Sequence, residues 1–153
     1  MTRPQPALEL ADTPVVTPDD LTLLDQFEAA TLGSDDFGHR EHVRVGWTYL
    51  QLHDLAVASQ RFISALKNFH DFHGATGLYH ESITWAFLLV ITERIGRMGR
   101  PDSWEEFAAE NSDMLAGGAF LGRYYRRETL KTDLARSVFV MPDRCPAEMG
   151  EAS

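Results

Sequence analysis

Hydrophobic positions recur along the chain three and four residues apart, the period of a helix with one buried face. The first such face holds Leu21, Leu24, Phe27 and Glu28, in a helix predicted over 18–31. Thr17 reads as its N-cap, Pro18 fills the first helical position, Asp20 stands three residues after the cap, and Gly33 is expected to end it. A turn from Ser34 to Gly38 leads to a second helix over 39–53, with Val43, Gly46, Trp47 and Leu50 as its stripe. Asp54 caps a third, 55–72, striped by Leu55, Ala58, Phe62, Ala65, Leu66 and Phe69. A fourth, 78–97, is the most apolar, and Ser103-Trp104-Glu105-Glu106 is a capping box for a fifth over 104–115. A shorter helix or turn is expected near 119–124. The stretch 124–142 mixes a short helix near 132–136 with the apolar run 137–141, and is expected to run back over the rest.

Strand-like alternation is confined to Val138–Val140. The fold class is therefore all-α: a single-domain antiparallel helical bundle of about five main helices, with an irregular C-terminal segment packed over it. Residues 1–16 read as a flexible arm, 17–142 as the bundle domain and 143–153 as a frayed tail.

Short connectors make consecutive helices antiparallel neighbours, and this places the histidines. His39 and His42 open the second helix, His70 and His73 close the third, and His80 opens the fourth, so five of the six histidines converge on one end. His53 belongs to the other end, on the order of 16 Å away at ~1.5 Å per residue. His39, His42, Val43, Gly46 and Trp47 share one face of their helix; His80, Ile83, Thr84, Phe87 and Ile91 share another. Two helices thus aim imidazoles at one interior spot. The positive end of a helix dipole disfavours imidazolium there, and neutral imidazole is the metal-binding form. His39, His42 and His80 are the expected metal ligands for one divalent transition metal: zinc, iron, manganese or copper. Glu81 and Glu28 are the neighbouring carboxylates, as fourth ligand or general base. Trp47, Tyr79 and Tyr125 are the expected walls of a substrate pocket. His70 and His73, at a helix C-terminus, are expected to meet exposed carbonyls or stand behind the ligands. No His-Glu-x-x-His motif occurs.

Composition bounds the chemistry. The 153 residues suffice to bury a core without disulfides. Fourteen Lys and Arg against 23 Asp and Glu give a net charge of -9, which argues against bulk phosphate neutralisation and so against nucleic acid as a partner. The longest apolar run, Trp85 to Ile91, is too short to cross a bilayer. The first residues show no apolar signal core, so the expected compartment is cytoplasmic. The single cysteine, Cys145, excludes a disulfide framework. The basic residues around Arg94–Arg100 and Arg123–Lys131 read as helix-end and surface charges, with an anionic ligand as the alternative. The expected partner is a small-molecule ligand. A homodimer is allowed but not required.

Phe37-Gly38-His39-Arg40-Glu41-His42, with Trp47 one turn later, and Tyr79-His80-Glu81-Ser82-Ile83-Thr84 resemble the helix starts of a family of small bacterial all-helical proteins. The family is functionally uncharacterised. Tyr124-Tyr125 resembles its C-terminal stretch, and the likeness covers roughly 24–142. Ser82 stands where the family more often has Thr. The resemblance supports a site at the two histidine motifs and implies no particular reaction.

The expected function is a metal-dependent enzyme, a hydrolase or oxygenase, acting on a small organic molecule at the histidine-rich end. The alternative is a non-enzymatic ligand-binding or interaction module whose histidines are structural. A metal-storage or sensing role is a third option.

Overall fold

The structure, a computed structural model, describes residues 15–145. Residues 1–14 of the expected arm and 146–153 of the expected tail lie outside these residues. Among the described residues eight helices follow one another: α1 Pro18–Glu28, α2 His39–Leu52, α3 Leu55–Phe72, α4 Glu81–Met98, α5 Trp104–Glu110, α6 Ser112–Leu115, α7 Arg127–Leu130 and α8 Asp133–Ser137. Short 3₁₀ segments lie at Ser34–Asp36, Thr76–Leu78 and Gly118–Arg123. Among the described residues there is no strand, and the class is all-α.

The caps explain the boundaries. The Thr17 hydroxyl accepts from the Asp20 N–H, and the Asp20 carboxylate accepts from the Thr17 N–H at 2.9 Å. α1 stops three residues earlier than expected. Ala30 takes a left-handed conformation at φ 56°, so the chain turns before Gly33 is reached. In α2, Glu41 reaches back to the Gly38 N–H at 2.9 Å, and in α3 the Asp54 carboxylate holds the Val57 N–H. α4 begins at Glu81 rather than 78, because His80 is its N-cap and not part of its first turn: the imidazole Nδ1 accepts from the Ile83 N–H at 3.1 Å. The expected fifth helix is divided at Asn111, whose side-chain amide donates to the Phe107 carbonyl and accepts from Arg94. Val138–Val140 is not a strand; Ser82 Oγ donates to the Val138 carbonyl and accepts from the Val140 N–H, and this ties the segment to α4.

α2 is the central element. Residues four apart on one side, Val43 and Trp47, enter a core with α4, α5, α6, Phe120, Leu121 and Tyr125. Val45 and Tyr49, on the opposite side, enter a second core with α1, Phe37, α3 and Leu88. Buried aromatics dominate both cores. Phe27, Phe37, Phe62 and Phe69 pack with ring centroids 4.8–5.7 Å apart, and Trp47 meets Trp104 at 5.7 Å. A buried ion pair fixes α1 on α2: Asp20, 1% exposed, takes the Arg44 guanidinium at 2.6 and 2.7 Å. No helix among the described residues is long and apolar enough to cross a membrane.

Candidate functional site

A cavity of about 430 Å³ opens where the start of α2, the end of α3 and the start of α4 meet. That meeting is what alternating helix directions produce. Its wall is apolar, with Phe37, Val43, Phe62, Leu66, Phe87 and Ile91 among its residues, and the imidazoles of His39, His42, His70 and His80 interrupt it. On α4 and its N-cap the cavity-facing positions are His80, Ile83, Thr84, Phe87, Leu88 and Ile91, largely the helical period expected for that face. On α2 they are His39, His42, Val43 and Gly46, successive positions of one stripe. Gly46 leaves room there: a Cβ on it would sit 3.6 Å from Leu88 and 3.7 Å from Ile91.

Hydrogen bonds to backbone carbonyls set the tautomers, since a ring nitrogen facing a carbonyl oxygen must donate. His39 Nε2 donates to the Met114 carbonyl at 2.9 Å, so in the neutral ring Nδ1 carries the lone pair. His42 Nδ1 donates to the Gly38 carbonyl at 2.8 Å, so its Nε2 carries the lone pair. In His80 both nitrogens are engaged. Nε2 donates to the Leu130 carbonyl at 2.7 Å, and Nδ1 takes the Ile83 N–H. His80 therefore serves the backbone on both edges, with no nitrogen left for a ligand.

Electrostatics separate the rings further. Burial pushes the His42 imidazole below its ordinary value of 6.5, and the neighbouring His70 and His39 push the same way. The Gly38 carbonyl and Glu41 oppose this shift. Burial also lowers His70, against the pull of Asp71. His42 packs on Phe37 with centroids 4.2 Å apart, and His39 on Phe87 at 5.1 Å. His70 Nδ1 is buried with no hydrogen-bond partner among the described residues.

The other expected site residues lie elsewhere. Glu28 accepts the Tyr49 hydroxyl at 2.5 Å, and Glu81 accepts the Tyr79 hydroxyl; neither carboxylate lines the cavity. Burial, reinforced by these carboxylates, pushes both phenols up. Trp47 is fully buried between Trp104 and Phe107. Tyr125 is buried, donates to the Val140 carbonyl at 2.6 Å and does not line this cavity. Among the described residues no group of three or more His, Cys, Asp or Glu side chains is arranged to hold a metal ion.

His70 is the residue that sequence reasoning left out of the wall. The signal was present, since Phe62, Leu66 and His70 stand four apart on α3, and all three line the cavity.

No family model, no curated protein and no solved structure matches this chain.

Proposed function

We propose that the protein binds a small, largely apolar organic molecule in the cavity between α2, α3 and α4, with His42 Nε2 accepting a hydrogen bond from its polar end. The observation that carries this reading is an apolar space of about 430 Å³ whose wall bears a half-buried imidazole of fixed tautomer and lowered basicity. Such a space is the size of a small-molecule site, and a few placed polar groups in an apolar wall are what orient a ligand. A neutral imidazole lone pair selects a donor such as a phenol or an alcohol. The test is calorimetric titration of the full chain with alkylphenols of increasing chain length. Saturable binding is expected, weakened about two- to tenfold in His42→Leu, the worth of one hydrogen bond. Absence of saturable binding across the series, or equal affinity in the variant, refutes the reading.

A second reading has one specific observation in its favour. His39 and His42 each donate one ring N–H to a backbone carbonyl and keep the other nitrogen as a lone pair, the arrangement that orients metal-binding imidazoles. In this reading the two rings hold a divalent transition metal, and exogenous ligands complete its coordination. Metal analysis of the purified protein tests it: near-stoichiometric metal, lost in His42→Ala, supports this reading, and metal-free protein that takes up no added zinc refutes it.

A further inference from the structure

On the other side of His80 and Ile83 lies a second, larger cavity of about 790 Å³, lined also by Tyr125, Arg127, Lys131, Arg136 and Arg144. From this wall we infer a binding site for the phosphoryl group of a small molecule. The argument begins with charge. Acids outnumber bases 23 to 14 over the chain, yet this wall carries four cations and no carboxylate. Its cations come from three separate places, α7 and the residue after it, α8, and the returning segment at Arg144, so the fold gathers them. Like charges brought together repel unless something negative joins them. Arg136 donates to the Gly77 carbonyl at 3.0 Å, which fixes its guanidinium without neutralising it. Among the described residues Arg127, Lys131 and Arg144 form no ion pair, although ion pairs elsewhere hold Arg44, Arg94, Arg97 and Arg123.

Asp143, the residue before Arg144, is committed elsewhere: it accepts the Thr129 hydroxyl and the Arg126 N–H, the latter at 2.8 Å, and these bonds hold its carboxyl below the usual range. These bonds also pin the segment that delivers Arg144, whose own N–H donates to the Tyr124 carbonyl at 2.9 Å. Four cations exceed what one carboxylate balances and suit a phosphate dianion or a pyrophosphate, for which Arg supplies a planar fork and Lys a point charge. This site does not depend on the ligand proposed for the first cavity.

The experiment is calorimetric titration of the full chain with inorganic pyrophosphate at low ionic strength, with citrate as the carboxylate comparison. Saturable pyrophosphate binding is expected, weakened at least tenfold in Arg127→Ala/Lys131→Ala and again in Arg144→Gln, and unchanged in Arg97→Ala, whose guanidinium pairs with Glu93 outside the groove. No saturable binding overturns the inference. So does equal binding by the groove variants, an equal loss in Arg97→Ala, or citrate binding as tightly as pyrophosphate.

Discussion

Gly46 offers the sharpest test of the cavity. Glycine inside a helix is unfavourable by about 1 kcal/mol relative to alanine, and Gly46 lies in the middle of α2, buried. A Cβ there would meet Leu88 at 3.6 Å and Ile91 at 3.7 Å, which is ordinary contact and requires no neighbour to move. Gly46→Ala therefore removes the propensity penalty and adds a buried methyl worth about 0.8 kcal/mol. Together these raise stability by about 1–2 kcal/mol. For a domain of this size the melting temperature rises by about 2–8 °C. The same methyl intrudes into the space proposed for the ligand. Overpacking a filled site costs about 1–3 kcal/mol, so an alkylphenol that fills the wild-type cavity binds about 5- to 140-fold more weakly. Differential scanning calorimetry and titration calorimetry on the same sample read the two effects. A lower melting temperature refutes the free space at Gly46. A higher one with unchanged affinity refutes the cavity as the ligand's place. Opposite movement of stability and affinity is the signature of a glycine kept for room at the expense of the helix.

Three further outcomes are expected. His80→Ala strips the N-cap of α4 and leaves the Leu130 carbonyl without its donor, a loss of about 2–4 kcal/mol in urea unfolding, whereas His80→Asn regains part of it through the cap; equal stability of all three proteins contradicts the capping role. His42 and His70 titrate below 6.5 in the fold, so between that value and their folded values the unfolded chain binds more protons. Their contribution is fully present above pH 6.5 and is lost as pH falls through the folded values, and the His42→Asn/His70→Asn variant should show a shallower acid decline in melting temperature; parallel profiles refute it. Asp20→Ala leaves the Arg44 guanidinium without its buried carboxylate and opens the α1 capping box, a loss of about 3–5 kcal/mol; a change below 1 kcal/mol by urea unfolding contradicts the pair's role.

What the sequence made legible was what periodicity and capping control. The helical spacing of His80, Ile83, Thr84, Phe87 and Ile91 identifies a face of α4, and that face lines the cavity. Thr17, Asp54 and Ser103 announce their helices through side chains that can hold only the N–H groups they hold. Partnerships over long separations were not legible. The attachment of His39 to Met114, 75 residues on, and of His80 to Leu130, 50 residues on, depends on where the short helices of the C-terminal half settle, and periodicity carries no record of that. Glu28 read as a free carboxylate because its partner Tyr49 lies 21 residues on, and Glu81 because helical spacing does not show that Tyr79, two residues before it, turns its hydroxyl onto it. Trp47 sits on the expected stripe, yet α2 is buried on two sides, and its edge position faces the Trp104 core rather than the cavity.

The two long-range histidine bonds have a common cause. α6 and α7 are four residues each, too short for an internal ladder to satisfy their last carbonyls, and Met114 and Leu130 stand in those final turns. A buried carbonyl without a donor costs about 1–3 kcal/mol. A side chain that reaches it from another element must be long, stiff and able to donate without bringing charge into an apolar wall, and neutral imidazole meets all three conditions. Supplying that proton also decides which nitrogen keeps its lone pair. For His80 the remaining lone pair is taken by the cap of α4, so the ring is structural on both edges. For His39 it is not, and the ring lines the cavity. The bond that closes the C-terminal half over the helices is thus the same bond that orients an acceptor at the ligand space, and in His39 the structural and chemical roles are opposite edges of one ring.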